Sequence, residues 1–150
     1  MYLEHIVEHW KGVRTGLIET IGKFRDEELD FRPFATSWSV QELMLHIAQE
    51  EHGELQYGII QRLDAFPAEY PPDHYSTIGA IQALLESVHA QSSAYLDTLD
   101  DAALHEAITT PWGAEYRLIS MIDHLIDHEI HHRAELSLIL GMLGRTGLDA

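Results

Sequence analysis

The chain contains no cysteine. That excludes disulfides, thiolate metal sites, C-x-x-C redox pairs and a cysteine nucleophile, and it fits a reducing, cytoplasmic setting. Basic residues are scarce: nine Lys and Arg stand against 25 Asp and Glu, a formal charge of −16. Such a surface repels phosphate, so neither nucleic acid nor an anionic membrane surface is an expected partner. No apolar run reaches the roughly 18 residues of a membrane span. The first residues, MYLEHIVEHWKG, hold acids and histidines, not the basic stretch and long apolar run of a secretory signal. There is no internal repeat, glycine-rich phosphate loop or G-x-S-x-G elbow.

What remains is one domain's length, 150 residues, expected to fold as a single unit over residues 1–150. Leu3, Ile6, Trp10, Val13, Leu17, Ile21 and Phe24 recur at three- and four-residue steps and predict a helix over Tyr2–Phe24. Ser39-Val40-Gln41-Glu42 is a capping box. It predicts a second helix from Ser39 to about Leu63, with Trp38 stapling its start and Gly53 and Gly58 as weak points. Pro67, Pro71 and Pro72 mark a loop, and Ile78, Ile81, Leu85, Val88, Tyr95 and Leu99 then predict a third helix over Thr77–Leu99. Asp100–Glu115 is irregular, with room for a short strand-like stretch. A last helix is expected over Tyr116–Leu143, stopped by Gly144. Four such stripes make an all-α four-helix bundle. Its connections are long enough for one of them to run the length of the bundle.

The anomaly is histidine: eleven in the chain, with His124, His128, His131 and His132 close together. His128 and His132 are four apart and share a helix face, within reach of one divalent ion. At about 100° per residue, the sector set by Leu118, Met121, Ile122, Leu125, Leu136, Ile139 and Leu143 contains His132 and has His128 at its edge. His124 and His131 fall toward solvent. On the second helix His46 also looks inward, with Glu50 one turn on, so a site of three neutral imidazoles with open positions is the expectation. Glu129 projects toward the apolar sector and, like Glu50, is a candidate to steady a ligand's other ring nitrogen. Arg14, near the inner face of the first helix, is a weak candidate anchor for an anionic substrate, with its stem snorkelling as the plainer reading. His5 and His9 read as solvated; His52, His74, His89 and His105 read as surface; Trp10, Trp38, Tyr57 and Tyr95 read as core. The string His128-Glu129-Ile130-His131-His132 matches the H-E-x-x-H pattern, but a helical chain offers little strand to seat a peptide. The di-iron bundle pattern lacks a second inward Glu-x-x-His.

Phe31-Arg32-Pro33, then Trp38-Ser39-Val40-x-Glu42-Leu43-x-x-His46-Ile47-Ala48, then His124-x-x-x-His128-Glu129-Ile130-His131-His132-Arg133-Ala134-Glu135-Leu136 together resemble the DinB/YfiT superfamily over nearly the whole chain. The resemblance implies an up-down-down-up four-helix bundle. It also implies one divalent ion per chain on His46, His128 and His132, with zinc or nickel first and iron or manganese also in reach of such donors. It further implies metal-dependent enzymes that use a low-molecular-weight thiol such as bacillithiol or mycothiol, or water, for S-transfer or hydrolysis of an electrophilic small molecule. A non-catalytic metal-binding stress-response protein is the alternative, and pairing of two copies is common in the family. Ala134-Glu135 stands where the family often has Gly-Gln.

Overall fold

The computed structural model describes residues 2–147; residue 1 and residues 148–150 of the expected 1–150 unit lie outside the described residues. Four helices carry the fold: α1 (Tyr2–Gly22), α2 (Val40–Gly53), α3 (Ile78–Leu96) and α4 (Leu118–Met142). The strand-like stretch is a small hairpin, β1 (Ala107–Thr109) paired antiparallel with β2 (Glu115–Arg117), Ile108 facing Tyr116. Its turn uses Gly113 at φ +85°, a conformation side chains resist. No helix among the described residues is long and apolar enough to cross a membrane.

The direction of each helix follows from two core clusters, one at each end. At the first end Leu17 and Ile21 from the close of α1 meet Val40, Met44 and Ile47 from the start of α2. Ile81 and Leu85 from the start of α3 and Leu136 and Leu140 from the close of α4 complete that cluster. At the other end Ile6 and Trp10 of α1 meet Leu55, Leu96 and the α4 residues Leu118, Met121, Ile122 and Leu125. The order is therefore up-down-down-up. α1 packs on α3 and α4, and so does α2. Each of these side chains is buried, and full burial of one Leu, Ile or Met is worth about 1.5–3 kcal/mol.

Because α2 and α3 run the same way, residues 60–77 must return along the whole bundle. Side chains of α2 hold that crossover in place. The Gln41 amide donates to the carbonyls of Pro72 and Tyr75 (3.0 and 2.9 Å), the Gln49 amide donates to that of Pro67 (2.6 Å), and the His52 ring meets the Tyr70 hydroxyl at 2.9 Å. A Cβ on Gly53 would lie inside the Phe66 ring, so this glycine is the seat of a crossover side chain.

Local signals set most boundaries. The Ser39 hydroxyl accepts from the Glu42 amide (3.1 Å), and the Glu42 carboxylate accepts from the Ser39 amide (2.7 Å), the reciprocal cap the sequence predicts. The Thr77 hydroxyl caps α3 by accepting from the Ala80 amide at 3.1 Å, with no reciprocal partner at alanine. At the start of α1, Asp101 accepts from the Tyr2 and Leu3 amides, both at 3.0 Å. The second helix departs from expectation. It is not a regular helix to Leu63: Glu54–Ile59 form a π turn, and Gln61 ends it at φ +57°. Gly58 lets the edge of Trp112 come within about 3.0 Å of where a Cβ would sit, a contact made by a residue far away in sequence.

Candidate metal centre

α2 and α4 pack antiparallel, and this brings His46 opposite His128 and His132. The Nε2 atom of His128 lies 3.0 Å from Nε2 of His46 and 3.1 Å from Nε2 of His132. His132 is buried, and the other two rings are half-buried. Desolvation, reinforced by neighbouring histidines, pushes His46 down to about 4 and His128 down to about 3, so both rings are neutral at pH 7.

Glu135 orients the third ring. Its carboxylate lies 2.5 Å from Nδ1 of His132, so Nδ1–H donates and Nε2 faces the other two rings. Three nitrogens at ~2.0–2.1 Å around a tetrahedral zinc stand about 3.3 Å apart, close to the 3.0 and 3.1 Å separations of these rings. The donor set therefore fits one divalent ion of the kind imidazole prefers.

The surroundings are open on one side. Trp38, expected in the core, is half-exposed, with its ring centroid 4.4 Å from that of His46 and 6.2 Å from that of His132. It precedes the cap and so stands outside the helix, over the rings, rather than beneath them. Beside it a cavity of about 200 Å³ is lined by Glu42, His46, Gln49, Glu69 and Tyr70. Glu50 approaches the outer nitrogen of His46, Nδ1, at 4.0 Å, which is ion-pair range and not a hydrogen bond. Burial holds Glu50 above the usual carboxylate range.

Two expected site residues lie elsewhere. Arg14 lies apart from the three rings: it is buried, donates to the carbonyl of Leu85 (3.0 Å), and pairs with Glu51 and Glu129. Glu129 turns away from the rings, accepting from the Trp10 indole at 3.0 Å and from Arg14 at 2.7 Å. Being next to His128 on the helix, it points about 100° around from it, off the face that carries the three rings. His89, expected at the surface, closes this network, with Nδ1 3.1 Å from Glu51 and its ring edge-on to Trp10. The residue that does hold a ring of the trio is Glu135. The signal for it was its i,i+3 spacing from His132, at the position where Gln is usual. His124 lies 3.9 Å from Glu54, and His5, His9, His74 and His105 are exposed, as expected.

Known proteins resemble the chain over nearly its whole length. The profile described as the DinB family matches residues 1–149. The Bacillus subtilis protein YjoA is 26% identical over 145 residues, 95% of this chain and 92% of that protein. Among solved structures, YfiT of Bacillus subtilis, described as a candidate metal-dependent hydrolase with an unusual four-helix bundle topology, superposes with a TM-score of 0.73. It is 19% identical, over 96% of this chain and 89% of that one. A mycothiol-dependent maleylpyruvate isomerase superposes at 0.61 and 13% identity, over 87% of this chain and 59% of that one.

Proposed function

Because the chain belongs to the DinB family, we propose that it is a divalent-metal-dependent enzyme. In this reading it activates a low-molecular-weight thiol or water for S-transfer to, or hydrolysis of, an electrophilic small molecule. His46, His128 and His132 would hold one ion per chain, zinc or nickel before iron or manganese. The observation that carries the reading is the convergence of three imidazole Nε2 atoms beside an open face. A divalent ion in such a site lowers the pKa of a coordinated thiol or water, so that a nucleophile is present at neutral pH.

The protein's own residues supply the rest. Glu135 fixes the His132 ring with Nε2 toward the other two. Glu50, half-buried and short of any hydrogen bond to the trio, is the carboxylate best placed to take a proton from an approaching nucleophile. Trp38 covers the rings and limits bulk water. With no cysteine in the chain, any thiol must come from outside. The mycothiol dependence of the isomerase with this fold supports that choice of nucleophile, and the YfiT description supports water. A single working unit over residues 1–150 in the cytoplasm is part of the same reading.

Elemental analysis of protein purified without a histidine tag tests the centre. Wild type should carry about one zinc or nickel per chain, and His128→Ala should carry almost none. Equal metal in both would refute the ligand set. A thiol-consumption and ester-hydrolysis screen then tests turnover. Metal binding with no activity across a broad panel would leave a non-catalytic metal-binding protein as the better description.

A further inference from the structure

Four of the most exposed apolar side chains are gathered in one place. Phe34 (65% exposed), Trp38 (49%), Leu138 (68%) and Met142 (54%) line, with Leu43 and Ile139, a concave groove of about 400 Å³ between the 33–38 loop and the last turns of α4. Scattered exposed leucines call for no explanation, but a contiguous concave patch of them marks a binding surface, and this volume suits part of a small molecule. The loop wall is held from behind. Arg32 donates to the carbonyl of Ser37 at 2.5 Å and to Glu42 at 3.0 Å, and the Ser37 hydroxyl donates back to the carbonyl of Phe34 at 2.9 Å.

The groove is continuous with the histidine centre through two residues. Trp38 lines it and lies 4.4 Å from the His46 ring; Glu135 lines it and holds Nδ1 of His132. Trp38 thus separates two approaches to the centre, the polar cavity bearing Glu42, Gln49 and Glu69 and this apolar groove. Among the described residues, Glu135 is the only charged one lining the groove. With no cation among those lining residues, and a net charge of −16 over the chain, an anionic group is disfavoured there.

We infer that this groove is the subsite for the uncharged aliphatic or aromatic part of the substrate, whose other end reaches the three-histidine centre past Trp38. The inference rests on the metal-dependent reading above. Alkyl hydroxamates of two, four and six carbons provide a test that needs no turnover, because the head binds zinc and the tail reports the groove. Calorimetric titration of zinc-loaded protein should show affinity rising about fourfold for each buried methylene. Leu138→Asp and Met142→Asp, both at exposed positions, should flatten that rise while leaving acetohydroxamate binding unchanged. A flat series in wild type, or an equal rise in the variants, overturns the subsite while sparing the metal centre. Failure of every hydroxamate to bind in a zinc-dependent way overturns the metal reading and the subsite with it. A wild-type dimer in sedimentation that the variants dissociate, with the affinity rise unchanged, would assign the groove to a second copy and overturn the subsite.

Discussion

Replacing Arg14 with Met tests the buried ionic network most directly. Arg14 faces two carboxylates, Glu51 and Glu129, within the core. Burial alone would lower its pKa, but those two acids outweigh burial and raise it. Met fills much of the same volume and removes the charge. Stranding a buried partner in this way costs about 3–5 kcal/mol, out of roughly 5–15 kcal/mol for a whole domain. With a urea slope of about 1–3 kcal/mol per molar, the unfolding midpoint of Arg14→Met should fall by roughly 2 M at pH 7. The pH dependence is the sharper test. Burial pushes Glu51 up, but Arg14, His89 and Ser92 together leave it below its ordinary value. In wild type that group therefore stabilises the fold at neutral pH, and the contribution is lost as pH falls. Without Arg14 the burial effect loses its chief opponent, and the folded pKa of Glu51 rises above its unfolded value of about 4.3. The folded variant then binds more protons than the unfolded chain, so its stability increases as pH falls toward 5. The gap between wild type and variant should narrow from pH 7 to pH 5 in metal-free protein. A loss below about 1 kcal/mol at pH 7, or a gap that stays constant or widens, would refute this account.

Glu135→Ala should weaken zinc affinity by about 10–100-fold with little change in the metal-free melting temperature, read by competition with a chromophoric chelator. Ser39→Ala should cost about 1 kcal/mol by loss of the α2 cap, measured by urea unfolding. Gly53→Ala should evict the Phe66 ring and speed chymotryptic cleavage within residues 60–77, while far-ultraviolet circular dichroism stays unchanged. Asp101, pulled down to about 2 chiefly by the Leu3 and Tyr2 amides, should hold the start of α1 at every pH above that value. Asp101→Ala should accelerate amide exchange at Tyr2 and Leu3.

Much of the helical frame was legible because its signals are local. The Ser39–Glu42 box and the three- and four-residue apolar steps act within one element, and the same periodicity placed His46, His128 and His132 on inward faces. What escaped depends on residues that meet only after folding. Arg14, Glu51, His89 and Glu129 come from four different helices, and taken singly Arg14 reads as a snorkelling stem, Glu129 as a residue beside a ligand and His89 as surface, with nothing to single out Glu51. The π turn has no periodic signature, since its Gly58 answers to Trp112 in the hairpin turn. Trp38 was misplaced because an aromatic before a cap can pack inward or stand over its neighbours, and the choice depends on what α4 presents opposite it.

The two polar clusters share their helices in a way that bears on the site. On α2, Glu50 faces the histidines while Glu51 faces Arg14; on α4, His128 faces the histidines while Glu129 faces Arg14. Adjacent residues about 100° apart on a helix thus divide between the open centre and the core. Arg14 binds Glu51 and Glu129 at once, so it joins α2 to α4 through α1 and fixes how far one can slide along the other. A centre with rings from both helices needs that register held to about 0.5 Å. The apolar layers above and below are less specific, because aliphatic side chains repack at small cost. On this argument the network acts chiefly by holding the bundle in the one alignment that lets three rings meet, at some expense in stability relative to a fully apolar core.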